Sequence, residues 1–202
     1  DIKIAEWLTT IRANTRSGSE VPQTLISLDS VLHEMRLYKS SEELDVMQLA
    51  GKITAKAHCN AMKTVTPGMY EYELEAEYIN TFMQGGARFP AYNSIVGGGN
   101  NACILHYNEN KDVLNDGDLV LIDAGCEYQN YASDVTRTFP VNGKFSKEQA
   151  AIYNVVLNAH GEALKEIKPG NPWIAAHEAS VTSITKGLID LNILEGHLED
   201  LI

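Results

Sequence analysis

Apolar and β-branched residues gather between residues 91 and 139 in four short runs that are separated by turn-forming residues. The runs are AYNSIV, ACILHY, DLVLIDA and YASDVTRTF, and the separating segments are GGGNN, NDGD and QN. Runs of this composition bounded by Gly, Asn and Asp are typical of β-strands joined by tight turns. The pattern predicts four strands. GGGNN is interpreted as a hairpin loop, because no Walker or Rossmann spacing accompanies it.

Two helix pairs flank these strands, and a Pro-Gly break lies inside each pair. In the first pair, Ser40 or Ser41 caps a helix predicted over residues 42–65, and the second helix runs from about Tyr70 to the glycine pair at Gly85. In the second pair, a Ser-x-x-Gln capping box at residues 146–149 opens a helix that ends near residue 167. Another helix follows the proline at position 172.

The helix pairs carry an internal repeat. Residues 57–68 read AHCNAMKTVTPG and residues 159–170 read AHGEALKEIKPG, with six identical positions of twelve. Such a match predicts two similar half-domains, the first copy over about 40–145 and the second beginning at about 146. Residues 1–36 are predicted to be the tail of an upstream domain and a linker, and 37–202 to be a truncated main domain. Neither end resembles a natural terminus, so we expect a piece of a longer protein.

Composition and charge exclude several classes of partner. The chain has 202 residues, of which 44% are hydrophobic, which is enough for a packed core. It carries 27 acidic and 16 basic residues without a basic cluster, so nucleic acid and anionic membranes are poor partners. Three cysteines (Cys59, Cys103 and Cys126) cannot all pair within the chain, and no apolar run has the length of a membrane span. We expect a reduced, cytoplasmic setting.

Two acidic residues lie in the last two predicted strands. Asp123 closes the run LVLI, and Asp134 lies in YASDVTRTF. If QN at residues 129–130 is a two-residue turn, Asp123 lies opposite Thr136. Asp134 is two residues from Thr136 and shares its face, so the two acids become diagonal neighbours roughly 7–8 Å apart at the backbone. A bulge at Gly125 would break this register.

Two carboxylates on one face of an apolar hairpin repel each other unless a positive group lies between them. DLVLIDA is apolar enough to be buried on both faces, no Lys is near in sequence, and Arg137 is predicted to point to the other face. One divalent cation, or a pair about 3.5–4 Å apart, satisfies both groups. A single Asp before Gly is also a common turn former, but the pair Asp123 and Asp134 favours a metal site.

The histidines are less specific signals. His106 ends the predicted strand ACILHY upstream of the acids, where both a structural and a catalytic role stay open. His58 and His160 occupy equivalent positions of the two repeat copies inside predicted helices, so both are predicted to be packing residues. Three further histidines have no strand or acidic partner that indicates a site: His33, His177 and His197.

Several of these segments together resemble a known family. RFPAYNSIV from Arg88, then CILHYNEN, then DGDLVLIDAGCEYQNYASDVTRTFPVNGKF resemble the pita-bread metallopeptidases, and within them the proline-specific aminopeptidases (aminopeptidase P). HEMRLYKSSEE resembles the entry into that family's catalytic domain, and the resemblance runs from about Leu28 to the C-terminus. It implies an α+β pita-bread (creatinase/aminopeptidase-like) fold. The chain would hold the first half, two helices with an antiparallel sheet, and the helices of the second half.

The resemblance also implies a site. In the family two Asp, one His and two Glu hold two divalent metal ions, and the oxygen-rich ligand set favours Mn²⁺, with Co²⁺ or Zn²⁺ as alternatives. Asp123 and Asp134 match the two Asp, the first as a chelating and the second as a bridging ligand. His106 matches a His that contacts substrate at the reacting centre. The ligand His and both Glu belong to the second half, and nothing in this chain matches them.

The implied activity is metal-dependent release of the N-terminal residue from peptides with proline in second position. A water that bridges the two metals attacks the peptide, and the complete protein is expected to be a homo-oligomer. The chain alone is expected to be inactive. Two alternatives stay open: a metal-free pita-bread module that binds peptides or proteins, and another pita-bread hydrolase such as prolidase or methionine aminopeptidase.

Overall fold

A computed structural model of the chain describes residues 2–14, 16, 18 and 20–202. The chain divides into two compact units, Asp1–Asp45 and Val46–Ile202. The first unit carries helices α1 (Ile2–Ala13) and α2 (Asp29–Leu37). The predicted linker SGSEVP falls partly on residues 17 and 19, which lie outside the described residues. The predicted domain boundary near residue 36 stays a prediction.

Helices α3 (Ser41–Thr64) and α4 (Glu71–Gln84) confirm the first predicted pair. Ser40 caps α3, because its hydroxyl accepts a hydrogen bond from the Glu43 amide at 3.2 Å and its own amide donates to the Glu43 carboxylate at 2.6 Å. Three alanines and Ile53 of α3 and large residues of α4 are buried and form one core with the strands that follow. This core holds the strands against the helix pair.

The strands form two three-stranded antiparallel sheets, in the orders β1-β4-β5 and β2-β3-β6. Their bounds are β1 Phe89–Pro90, β2 Ile95–Gly98, β3 Leu119–Ala124, β4 Cys126–Tyr128, β5 Tyr131–Ala132 and β6 Val135–Pro140. One long hairpin passes through both sheets, because β3 and β4 run up one side and β5 and β6 return on the other. Three of the four predicted runs therefore contain strands.

The prediction that DLVLIDA is buried on both faces is wrong for this chain. Val120, Ile122 and Ala124 on one face of β3 are fully buried in the core with α3 and α4. The alternate residues, including Asp123, are half-buried. The helix pair covers only the first face of the strand, which leaves the face that carries Asp123 accessible.

The predicted strand ACILHY is also wrong. A 3-10 helix occupies Gly99–Cys103, and a turn follows through His106. The predicted hairpin loop GGGNN is divided between the end of β2 and this 3-10 helix. The physical reason is tertiary: the Asn101 side chain donates hydrogen bonds to Glu71 on α4 and to Asp112, and these bonds wind the segment into a compact turn.

The second predicted helix pair is present as α5 (Lys147–Glu166) and α6 (Ile174–Asp190), with a short α7 (Leu198–Leu201). The predicted capping box is confirmed, because the Ser146 hydroxyl accepts from the Gln149 amide at 3.1 Å and the Ser146 amide donates to the Gln149 side chain at 2.9 Å.

Within the described residues, no helix combines the length and the apolar character that are needed to cross a bilayer.

The two copies of the predicted repeat share backbone geometry. Helices α3 and α5 end at corresponding repeat positions, Thr64 and Glu166. The glycines of the two Pro-Gly breaks both have positive φ, 96° at Gly68 and 92° at Gly170. A side chain is strained in that conformation, which accounts for glycine at both positions. These matches are consistent with a duplication, which stays a prediction.

Candidate metal and substrate site

The hairpin that carries the two acids turns at the predicted residues. Gln129 and Asn130 have φ of 49° and 69°, as a two-residue type I′ turn requires. Beyond the turn, Asp123 pairs directly with Thr136. The predicted register of the hairpin is therefore confirmed.

Gly125 lies where the two sheets meet, and it introduces no bulge, because the register is the same on both sides of it. A Cβ at this position would lie 1.7 Å from the carbonyl oxygen of Ser133, so only glycine allows the strands to approach this closely. The Ala91 amide donates to the Gly125 carbonyl at 2.8 Å. This hydrogen bond attaches the connection between β1 and β2 to the hairpin beside Gly125.

Tyr92, in that connection, joins the two acids. Its hydroxyl donates to Asp123 Oδ1 at 2.5 Å and to Asp134 Oδ1 at 3.0 Å. Because a hydroxyl has one proton, the two carboxylates share a single donor and their oxygens converge on one point. The predicted convergence of the acids is present, whereas no pattern in the sequence pointed to Tyr92.

The neutral hydroxyl of Tyr92 lies between the carboxylates of Asp123 and Asp134. Burial, followed by the hydrogen bonds to Asp123 and Asp134, raises the pKa of Tyr92 above its usual value, so the hydroxyl keeps its proton at neutral pH. Arg137 pairs in register with Ile122, on the face opposite Asp123. The pair therefore has a shared proton donor and no guanidinium from the neighbouring strand.

The donor set fits a hard divalent cation in part. Asp123 is half-buried and Asp134 is exposed, so their oxygens are accessible as well as close together. Carboxylate oxygens suit Mg²⁺, Ca²⁺ and Mn²⁺. In the part of the chain that the structure describes, no group of three or more His, Cys, Asp or Glu side chains could hold a metal ion. Among the described residues, the two carboxylates therefore have no third His, Cys, Asp or Glu beside them.

His106 lies in an exposed turn rather than at a strand end. Its φ of 56° belongs to the left-handed region, which few residues with a side chain adopt. The next residue, Tyr107, is buried and its hydroxyl donates to Glu71 Oε2 at 2.7 Å. Burial, together with the bond to Glu71, raises the pKa of Tyr107 to about 12. The turn is thus anchored immediately beside His106, while the His106 side chain is open to solvent.

Glu71 organises this turn from the first position of α4. It is fully buried, and each carboxylate oxygen accepts two hydrogen bonds. The donors to Oε1 are Gly98 N at 2.8 Å and Asn101 Nδ2 at 3.0 Å, and those to Oε2 are Tyr107 Oη at 2.7 Å and Asp112 N at 3.0 Å. In the sequence this residue resembles an ordinary acid in the first turn of a helix, so no signal could have revealed its role.

The remaining histidines divide as follows. His58 is buried and packs edge-on against Tyr78, which confirms the predicted packing role. His160 is exposed, so the same prediction is wrong there. The strands that bury His58 in the first copy have no counterpart around His160 among the described residues. Three histidines for which no site was predicted are exposed: His33, His177 and His197.

A helix pair packed on antiparallel strands, followed by a second helix pair with a matching Pro-Gly break, is the arrangement of the pita-bread fold. The converging carboxylates lie on the hairpin of these strands. Residues 45–198 match the sequence profile of metallopeptidase family M24. The chain belongs to this family.

Its relatives include aminopeptidases of the kind that the sequence resembles. The Xaa-Pro aminopeptidase of Escherichia coli K12 is 48% identical over 202 residues, which are 100% of this chain and 46% of the relative. The structure of Pseudomonas aeruginosa aminopeptidase PepP matches at 52% identity with a TM-score of 0.95, over 100% of this chain and 46% of that one. A zinc-substituted E. coli aminopeptidase P in complex with product matches at 48% identity with a TM-score of 0.94, over the same shares. The chain spans about half the length of these relatives.

Proposed function

We propose that the full-length protein containing this chain, hereafter the full-length protein, is a metal-dependent aminopeptidase. It releases the N-terminal residue of peptides whose second residue is proline. The observation that carries this proposal is the convergence of Asp123 and Asp134 on one point beside Tyr92. The substrate class is supported by relatives that are named Xaa-Pro aminopeptidases.

In this proposal Asp123 and Asp134 are two ligands of a pair of divalent cations. Mn²⁺ is the expected metal because the ligands from this chain are hard oxygen donors, and Co²⁺ or Zn²⁺ are alternatives. When bound, the cations supply Lewis acidity toward water and toward the scissile carbonyl. The remaining ligands come from residues that this chain does not include. The 202-residue chain by itself is therefore inactive.

His106 is the proposed substrate contact of this half of the site. Its turn is fixed by the buried bonds of Glu71, so its exposed ring is presented from a defined backbone position. An imidazole can donate a hydrogen bond to substrate or transfer a proton near neutral pH. A hydrogen bond from His106 is sufficient to hold the substrate near the scissile peptide bond.

The setting and partners complete the proposal. An aminopeptidase requires peptides as partners and does not require nucleic acid or membranes. We expect the full-length protein to be a homo-oligomer. The three cysteines are free, two of them exposed and Cys126 buried, which favours a reducing compartment such as the cytoplasm. Cell fractionation with an antibody to the full-length protein tests the location.

The activity is tested on the full-length protein with two peptides that differ at one position, Xaa-Pro-Yaa and Xaa-Ala-Yaa. The protein is stripped with a chelator and assayed before and after addition of Mn²⁺. We expect release of Xaa only from the proline peptide and only with metal. Release without metal, or equal release from both peptides, would contradict the proposal. Peptide binding without cleavage under all conditions would indicate the binding module instead.

A further inference from the structure

Asp134 lies where the regular hydrogen bonding of the hairpin is interrupted. In a regular antiparallel ladder, every second facing pair exchanges two backbone hydrogen bonds. Cys126 and Ser133 face each other at such a position, two residues from the pair Tyr128 and Tyr131 that closes the turn. Beside Asp134, Ser133 N donates to Cys126 O at 2.9 Å, but Cys126 N does not return the bond. It donates instead to the hydroxyls of Thr54 at 3.2 Å and Ser133 at 3.0 Å. Side-chain hydroxyls thus replace one backbone hydrogen bond of the hairpin at the position next to Asp134.

Helix α3 contacts the residues on both sides of Asp134. The Thr54 hydroxyl shares a hydrogen bond with the Ser133 hydroxyl at 2.7 Å, and His58 Nε2 lies 2.9 Å from the carbonyl oxygen of Val135. Thr54 and His58 are four residues apart and so share one face of the helix. Thr54 is fully buried and His58 is 3% exposed, so water does not compete for these bonds.

The direction of the His58 bonds follows from the chemistry of its partners. The Val135 carbonyl can only accept, so His58 Nε2 carries the proton. Burial lowers the pKa of His58, so the ring is neutral and Nδ1 has a free lone pair. The hydroxyl of Tyr78 lies 2.8 Å from Nδ1 and donates to it. His58 is thus held in one tautomer and one orientation.

We propose that Thr54 and His58 are positioning residues that direct the Asp134 carboxylate toward the metal site. Successive side chains of a strand point to opposite faces, so fixing the buried Ser133 side chain against Thr54 directs Asp134 to the face where Tyr92 lies. The bond from His58 to Val135 prevents rotation of the chain on the other side. The inference rests on the proposed role of Asp134 as a metal ligand.

Loss of a group that orients a metal ligand typically costs roughly 10–100-fold in metal affinity. The test compares the same substitution at two buried threonines of the full-length protein. Thr54→Val removes the hydroxyl bound to Ser133. Thr81→Val removes an equally buried hydroxyl that accepts from Asn60 on α3 at 3.1 Å, away from the hairpin. Thr54→Ser retains the hydroxyl and is the rescue variant.

The readout is the dissociation constant for Mn²⁺, measured by titration calorimetry on metal-free protein, alongside the unfolding temperature without metal. We expect Thr54→Val to bind Mn²⁺ about 10–100-fold more weakly. Thr81→Val and Thr54→Ser should stay close to wild type in affinity. Unchanged affinity in Thr54→Val, or an equal loss in Thr81→Val, would overturn the inference, since the second result means that the loss of metal reflects stability alone.

The double variant His58→Phe with Tyr78→Phe tests the other contact without leaving the Tyr78 hydroxyl unpaired, and Tyr78→Phe is its control. The double variant should lose Mn²⁺ affinity and the control should not; equal affinity in the two would remove His58 from the proposal. Asp134→Asn distinguishes failure of the ligand role from failure of the positioning role. If Asp134→Asn loses metal while the positioning variants keep it, only the positioning role fails. Unchanged affinity in Asp134→Asn would overturn both the ligand role and the inference.

Discussion

Asp123 on β3 and Thr136 on β6 lie directly opposite each other in the hairpin. Because Asp134 is two residues from Thr136, this pairing brings it to the face of Asp123, and both acids reach the hydroxyl of Tyr92. The other face of β3 is packed in the core. The arrangement separates the two proposed metal ligands from the residues that stabilise the fold.

Asp123→Asn and Asp134→Asn in the full-length protein should therefore remove metal and activity while the fold stays intact. An amide keeps the shape but lacks the charge that holds a divalent cation, and neither side chain is part of the core. Elemental analysis measures metal content, and thermal unfolding without metal measures stability. Asp116→Asn, in an exposed turn, is the matched control. Full metal content in both site variants would refute the ligand assignment.

His106→Ala should keep the metal and slow turnover. Losing one hydrogen-bonding or proton-transfer group at a reacting centre typically costs roughly 10²–10⁴-fold. The loss should fall on kcat more than on KM if the contact strengthens in the transition state. Steady-state kinetics on an Xaa-Pro peptide measure it, with exposed His33→Ala as control. Unchanged kcat/KM would make His106 structural, and loss of metal would make it a ligand.

The 202-residue chain alone should show no peptidase activity and should bind Mn²⁺ weakly. Two carboxylates are too few to hold two cations against water, and no described cluster adds a third ligand. Calorimetry with Mn²⁺ and a peptide-release assay test this. Tight binding at two sites, or release of a residue ahead of proline, would mean that other ligands complete the site.

Glu71→Ala should destabilise the full-length protein strongly. It leaves four donors, two of them backbone amides, without their buried acceptor, and each unsatisfied buried group costs about 1–3 kcal/mol. We expect a loss of about 3 kcal/mol or more in the free energy of unfolding, measured with urea. Glu73→Ala on the same helix removes only an exposed capping bond to Tyr70 N, and should cost about 1 kcal/mol or less. Equal effects of the two variants would show that the buried network adds nothing.

Stability without metal should depend on pH through His58. Burial is the largest cause that lowers its pKa from the ordinary 6.5, and Arg137 acts in the same direction. The backbone of Val135 and Ala124 and the charge of Asp123 oppose it. The unfolded chain then binds a proton more readily than the folded one. The contribution of neutral His58 is complete above about pH 6.5 and is lost as pH falls toward the lowered pKa.

The measurement is the free energy of unfolding of metal-free full-length protein between about pH 4.5 and 7.5, for wild type and His58→Gln. The amide of Gln can still donate to the Val135 carbonyl but does not titrate. Wild type should lose more stability than the variant over this range. Parallel pH profiles of the two proteins would show that His58 does not titrate differently in the folded state.

The sequence by itself determined the elements whose ends depend on local chemistry. Ser146 and Gln149 form their capping box within a few residues of sequence. The Asn and Gly residues of the turns adopt positive φ at little cost. The turn at Gln129 and Asn130 then fixed the register of the hairpin, because side chains alternate strictly between its faces. The shared face of Asp123 and Asp134 followed from counting residues.

Only the tertiary structure decided what lies around those acids. Tyr92, Thr54 and Glu71 act through partners 27 or more residues away in sequence, and no local spacing encodes such contacts. The run ACILHY has strand-like composition, yet the buried carboxylate of Glu71 accepts hydrogen bonds from Asn101 before it and from Tyr107 at its end, and this makes it a turn. Propensity is a weak preference of about 1 kcal/mol, whereas a buried carboxylate must find its hydrogen bonds, so long-range contacts override the local pattern there.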